Sequence, residues 1–313
     1  MRRATVALLL ALAAPAQDTR LSGPVSGFVF HGPTQSIRPI VGVPGSAYLG
    51  TAVAQGFDAA SVAPLGKFAL VTLGGKLYLL RGLGSGQTEP APIDGSIDAI
   101  DRFAWSPDGA SAVVYSSDSR QAQILRNLDR AEPPDVESAL DLSSTDGPVT
   151  ALAFDGKRLL AGAGRVYLAD SSGIRLLLRT SQPAALALGN GDLFVADQAS
   201  NQVWMIRDYS GDATPMLFAD ERAGLSTPVG LRLSVSGRSL LIASAGSRSV
   251  DSLEISTRAS LGHLDLDFAP SRMEGVGSGA LAFLNSGSGG EPLYLLNAGD
   301  ALAVYFVPAG SEE

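Results

Sequence analysis

Phe103-Ala-Trp-Ser-Pro-Asp-Gly109, followed by Ala112-Val-Val-Tyr115, sets out the grammar of this chain. A short apolar strand runs into a polar turn closed by glycine, and a second apolar strand returns. The phrase recurs as Leu152-Ala-Phe-Asp-Gly156 with Leu159-Leu-Ala161, as Leu186-Ala-Leu-Gly-Asn-Gly191 with Leu193-Phe-Val-Ala196, and as Leu231-Arg-Leu-Ser-Val-Ser-Gly237 with Leu240-Leu-Ile-Ala243. Looser copies run from Val62 to Val71 and from Leu281 to Leu296. Glycine suits such turns because it takes positive φ without a side-chain clash. Self-similarity at a fixed period marks a repeat architecture.

The turn glycines Gly66, Gly109, Gly156, Gly191, Gly237 and Gly290 are spaced 43, 47, 35, 46 and 53 residues apart. That spacing accommodates a four-stranded blade with short turns. The unit after Val149 shows the strands most cleanly: Ala151–Phe154, Leu159–Ala161, Val166–Ala169 and Ile174–Leu178. Near-continuous apolar runs suit inner strands covered on both faces. Leu261 to Phe268 alternates instead, with Leu264, Leu266 and Phe268 on one side and His263, Asp265 and Asp267 on the other, as an outer strand should. The fold class read from these features is all-β, a β-propeller of four-stranded blades. Gly27 to Phe30 and Ser36 to Val41 read as third and fourth strands with nothing before them, and Leu281–Leu284, Leu293–Leu296 and Ala301–Val307 read as a unit without its fourth strand. The two ends are expected to share one blade, which removes exposed sheet edges. Six turn glycines with a shared blade give six blades; seven, one of them incomplete, is the alternative. Asn127 to Ser144, charged and proline-rich, reads as a long connection, and Gln87–Pro92 and Ser286–Pro292 as shorter ones.

Arg2-Arg3, the apolar run Ala4–Ala13 and Ala14-Pro15-Ala16 have the layout of a secretory signal peptide cleaved after Ala16. Residues 17–313 are then one propeller domain, exported to the periplasm or beyond. The apolar run is too short to span a bilayer, and no later segment is long enough. The chain has 31 acidic and 23 basic residues and a net charge of −8, which disfavours a phosphate backbone as partner, so no nucleic acid is expected. With no cysteine, the fold rests on its core, and thiol catalysis, iron–sulfur clusters and thiolate zinc are excluded.

Trp105-Ser-Pro-Asp-Gly109 resembles the strand-turn of TolB-type and Trp-Asp-repeat propellers, and Leu193-Phe-Val-Ala-Asp-Gln-Ala-Ser-Asn-Gln-Val-Trp204 resembles a phrase of NHL-type and gluconolactonase-type propellers. The fourth-strand Trp-Asp dipeptide of regular Trp-Asp repeats is absent. The resemblance implies blade architecture and bacterial export. It implies no activity, because propellers serve enzymes, receptors and scaffolds alike.

Catalytic chemistry has little to work with. His31 and His263 are the only histidines, and no G-x-S-x-G nucleophile elbow occurs. Neither Gly66-Lys67-Phe68 nor Gly75-Lys76-Leu77 completes a phosphate loop. His263-x-Asp265-x-Asp267 is the sharpest metal candidate, weighed against the solvated face of an outer strand. Asp170, Asp197 and Asn201 follow strands, where side chains usually bond nearby amides and hold the turn. Trp105 and Trp204 fall within strands, and no row of aromatic platforms for sugars is visible.

Propellers bind at the face made by loops entering the inner strands and loops joining second to third strands. On this strand reading that face carries Asp101, Arg102, Asp118, Asp146, Gln182, Asp197, Asn201, Arg248, Glu274 and Asp300. The expected function is a monomeric, non-enzymatic module that binds a protein, peptide or glycan, without a cofactor. The alternative is a hydrolase or lactonase dependent on a divalent cation such as calcium. A quinone-dependent redox propeller would want basic and histidine residues that the chain lacks.

Overall fold

A computed structural model describes residues 23–85, 87–277, 279–287, 291–299 and 301–308. Seven antiparallel sheets follow one another along the chain. The first contains β1 (Val25–His31), β2 (Ser36–Val41), β3 (Tyr48–Leu49) and β4 (Ala54–Gln55). The second contains β5 (Ala59–Val62), β6 (Phe68–Leu73), β7 (Lys76–Arg81) and β8 (Glu89–Pro92). The third contains β9 (Arg102–Trp105), β10 (Ala112–Ser116), β11 (Gln121–Arg126), β12 (Asp135–Val136) and β13 (Leu140–Asp141). The fourth contains β14 (Ala151–Phe154), β15 (Leu159–Gly162), β16 (Val166–Asp170) and β17 (Gly173–Leu178). The fifth contains β18 (Pro183–Gly189), β19 (Asp192–Asp197), β20 (Gln202–Arg207) and β21 (Thr214–Ala219). The sixth contains β22 (Pro228–Leu233), β23 (Ser239–Ser244), β24 (Ser249–Glu254) and β25 (Ser260–Asp265), and the seventh β26 (Glu274–Val276), β27 (Leu281–Phe283), β28 (Leu293–Ala298) and β29 (Leu302–Val307).

Seven buried clusters hold these sheets, one at each junction. Ile37 and Phe57 meet Ala69 and Leu80 between sheets one and two. Leu70 and Leu79 meet Val114 and Leu125 at the next junction, and Val113 and Tyr115 then meet Phe154 and Leu159. Equivalent clusters follow between four and five, five and six, and six and seven. The last joins Val29, Ile40 and Leu49 to Val276, Phe283 and Leu293. A row of stacked sheets would have six junctions; the seventh cluster closes the ring, so the protein is a seven-bladed β-propeller. Burial on both faces is why the middle strands read as unbroken apolar runs: Ala112 to Ser116 and Ser239 to Ser244 are buried throughout.

Arginines add polar ties across the junctions. Arg81 reaches the Arg130 carbonyl, Arg126 the Gly156 carbonyl at 2.7 Å, Arg175 the Tyr209 carbonyl at 2.8 Å and Arg232 the Gly279 carbonyl at 2.7 Å. A long side chain ending in five donors is suited to satisfying carbonyls on a neighbouring blade.

The six-bladed expectation is therefore corrected to seven, and among the described residues no blade combines strands from the two ends. The N-terminal strands have a sheet of their own, and Leu281 to Val307 supplies the second to fourth strands of a blade whose first strand is the three-residue β26. The first hairpin of that blade turns at Gly277 (φ +60°), not at Gly290, which lies outside the described residues. Gly27 to Phe30 and Ser36 to Val41, expected as third and fourth strands, are instead β1 and β2 of a blade of their own; its opening turn carries no glycine in the left-handed conformation, since Gln35 takes it (φ 46°) after a 3-10 turn. Two connections also hold strands. Residues 127–144 include β12 and β13, both paired with β11, and residues 87–92 include β8, an edge strand that tolerates Pro90 and Pro92.

The first blade is unusual in a second way. Both β3 and β4 pair with β2, so four strand segments fill three positions. The Gln35 carbonyl accepts from Gly56 and Phe57 (2.8 and 3.2 Å), while the next amide, that of Asp58 just before β5, bonds the Thr72 carbonyl of β6 (2.9 Å). The far end of β1 thus lies where β5 begins, and β1 runs against its inner neighbour. Elsewhere inner strands run together, as Thr150 and Pro183, just before β14 and opening β18, show by their 2.5 Å bond.

Candidate functional site

The central channel contains a cavity of about 400 Å³. Ala60 and Ser61 of β5, Asp101 to Trp105 at β9, Leu152 of β14, and Arg272 and Glu274 at β26 line it. Only the channel is common to the inner strands of blades two, three, four and seven. Its size suits a small ligand or one or two residues of a peptide.

Each polar group there has a definable state. Asp101 accepts from the Ser117 amide (3.1 Å) and hydroxyl (2.6 Å), which fastens the loop before β9 to the turn after β10. Arg272 pairs with Glu274 at 2.7 Å and donates Nε to the Asn285 carbonyl at 3.1 Å. Trp105 donates its indole N–H to Ser61 Oγ at 2.9 Å and meets Phe68 edge-on at 5.8 Å, which wedges it between blades two and three. Arg102 makes one long contact, Nη1 to the Thr150 carbonyl at 3.5 Å, and its enclosed Nε has no partner.

Nine of the ten residues expected on the binding face are described, and all nine lie at one end of the ring. Asp101, Arg102, Asp146, Gln182 and Glu274 stand where the chain enters an inner strand; Asp118, Asp197, Asn201 and Arg248 stand where second strands turn into third strands. Asp300 lies outside the described residues. Of the nine, Asp101, Arg102 and Glu274 line the channel cavity. Asp146 pairs with Arg165 at 2.6 Å. Asp197 is buried and accepts from the Ser181 and Gln182 amides (2.9 and 2.8 Å). Asn201 accepts from the Thr227 amide and donates to Glu221, both at 2.7 Å. Asp170 accepts the Ser172 hydroxyl and amide, which hold its carboxyl below the usual carboxylate range. These side chains tie one loop to the next, as expected after a strand. Sequence reading missed Arg272 and Ser61. Arg272 precedes Glu274 by two residues, the spacing that puts two side chains on one side of an extended segment.

His263 does not build a metal centre. Its Nδ1 bonds Asp251 at 2.7 Å and its Nε2 bonds Asp265 at 3.2 Å. Among the described residues, no group of three or more His, Cys, Asp or Glu is arranged to hold a metal ion. His31 bonds Thr34 at 2.7 Å, far from His263 in the ring.

A larger cleft, about 630 Å³, opens between blades six and seven, lined by Ser234, Arg238, Glu254, His263 and Leu302 among others. Its ionic groups face one another (Arg238 to Glu254, 3.7 Å) and Ser234 closes its own turn, so it presents little unsatisfied chemistry. The channel cavity is smaller but holds a guanidinium without a carboxylate partner, which makes it the stronger candidate.

No family model matches the chain, and no curated protein does. Among solved structures, the chain is similar to a functionally unknown protein from Desulfotomaculum acetoxidans DSM 771, at 12% identity over 90% of this chain and 99% of that one, with a TM-score of 0.64. It is also similar to U3-55K, at 15% identity over 80% of each chain, with a TM-score of 0.58. A chain of a nidogen/laminin complex matches at 12% identity over 76% of this chain and 92% of that one, with a TM-score of 0.49. At 12 and 15% identity, the first two likenesses show the β-propeller fold and nothing finer. Among the described residues, no helix is long and apolar enough to cross a membrane.

Proposed function

We propose that the protein is an exported, non-enzymatic β-propeller that binds a peptide, protein or glycan at its channel face. The observation behind this reading is the channel cavity, where four inner strands converge on groups of both charges beside Phe103 and Trp105. No hydroxyl–histidine pair lines it, since both histidines lie elsewhere. The Arg2–Ala16 leader supports export, and the Trp105–Gly109 and Leu193–Trp204 phrases support kinship with TolB-type and NHL-type propellers.

Hydrogen exchange on the purified protein with panels of peptides and oligosaccharides tests the site. A ligand that protects residues 101–105 and 272–276 agrees with the proposal. Ligands that protect only the cleft at 234–239 and 254–263 would overturn it.

A further inference from the structure

Given the channel as the binding site, we propose that Arg102 is the anchor for a single carboxylate on an otherwise uncharged, apolar or aromatic ligand. The guanidinium carries five N–H donors. One makes the 3.5 Å contact with Thr150, and Nε is enclosed without a partner. Six arginines elsewhere are engaged: Arg126, Arg165 and Arg272 pair with Glu137, Asp146 and Glu274, and Arg120, Arg175 and Arg232 reach backbone carbonyls. Asp101, the adjacent acid, is turned to Ser117, and Glu274 is held by Arg272. Arg102 is therefore the cation in the cavity whose fork is open to an incoming anion.

The remaining groups define that anion. A planar carboxylate matches the guanidinium fork with two parallel hydrogen bonds. A dianion such as phosphate would meet the charges of Asp101 and Glu274 in the same cavity, an unfavourable balance once water is displaced. Apart from Ser61, whose hydroxyl oxygen accepts from Trp105, the rest of the lining is apolar or aromatic, from Ala60, Phe103, Ala104, Trp105 and Leu152. A carboxylate with an apolar body of modest size satisfies both parts.

Calorimetric titration of the purified protein with acid and amide pairs tests this. 3-Phenylpropionate against 3-phenylpropanamide represents a free organic acid; N-acetyl-alanyl-phenylalanine against its C-terminal amide represents a peptide end. Each acid is expected to bind roughly tenfold more tightly than its amide. Arg102→Ala should abolish that preference, and Arg102→Lys should retain part of it, with unchanged thermal midpoints showing that the variants fold. Whichever pair shows the larger preference identifies the source of the carboxylate. Equal binding of acid and amide, a preference that survives Arg102→Ala, tighter binding of phenylphosphonate, or no acid bound at about 10 mM would each overturn the proposal. If other ligands still protect 101–105 and 272–276 from exchange, the channel reading stands and only the carboxylate anchor falls.

Discussion

Tyr209 of the fifth blade donates its hydroxyl to Asp155 Oδ2 of the fourth at 2.9 Å, and both lie at the end of the ring opposite the candidate site. Asp155 Oδ1 also accepts the Lys157 and Arg158 amides at 2.7 and 2.5 Å. One carboxylate thus closes its own hairpin and holds the neighbouring blade. Burial pushes the Asp155 carboxyl up, but the Arg158 and Lys157 amides and the Tyr209 hydroxyl outweigh it and hold it below its ordinary value. The Tyr209 hydroxyl is in turn pushed up, by burial first and then by Asp155.

Tyr209→Phe keeps the buried ring and removes one donor, so it should cost about 1 kcal/mol. Asp155→Ala leaves three donors without their acceptor and should cost about 2–3 kcal/mol. Urea unfolding at pH 7 measures both. The pH dependence follows from the sign of the shift. A carboxylate whose folded pKa is depressed adds stability above its unfolded pKa, about 3.9, and loses it as pH falls through the folded value. Asp155→Asn should therefore lose less stability than the parent between pH 5 and 2, both limits being rough. Equal acid sensitivity would remove Asp155 from this role.

His263 carries the opposite sign. Its bond to Asp251 first, and to Asp265 second, raises its pKa. A raised histidine contributes stability that is complete below the unfolded value, about 6.5, and fades as pH climbs through the folded value. Asp251 is buried and also accepts from Ser249 at 3.0 Å. With only two histidines in the chain, proton NMR resolves both imidazoles directly. His263 should titrate above the ordinary histidine value of about 6.5, and Asp251→Asn should bring it down. A His263 midpoint at or below about 6.5 would contradict the geometry.

Calcium and EDTA should leave the thermal midpoint unchanged. Four carboxylates of the binding face are already occupied: Asp101 by Ser117, Asp197 by two amides, Asp146 by Arg165 and Glu274 by Arg272. Cation binding would have to break these loop ties. A rise of several degrees with one divalent ion, reversed by EDTA, would instead support a cation-dependent hydrolase.

The blade grammar was legible because glycines at positive φ close hairpins at Gly66, Gly109, Gly156, Gly191 and Gly237, all observed in that conformation. The first blade was legible only as two strands of a shared blade, because Gln35 stands where a glycine would mark the turn and because Gly50 to Val53 interrupt its outer strand. The loops of the candidate site were legible from strand order. Which of their side chains enter the channel was not, because that depends on partners far away in sequence, as with Asp101 and Ser117. Arg102 and Asp101 read alike as charged loop residues; only the contacts separate a group already satisfied from one left open.

Ring closure rests on a close approach. Gly27 of β1 lies so near Val276 that a Cβ added there would come within 2.4 Å of its Cγ1. The Leu49 amide bonds the Pro308 carbonyl at 3.1 Å at the same junction, and among the described residues no sheet combines strands from the two ends. Beside that bond, the apolar cluster at this junction holds the first and seventh blades together. Gly27→Ala should cost about 1–3 kcal/mol by overpacking, and Val276→Ala about 1–2 kcal/mol by lost burial. The Gly27→Ala/Val276→Ala double variant should lose less than the two single losses combined, because the new methyl occupies space that the valine vacates. Urea unfolding of the four proteins measures the coupling. Additive losses would mean that β1 does not press against Val276, and that the ring is closed by other contacts.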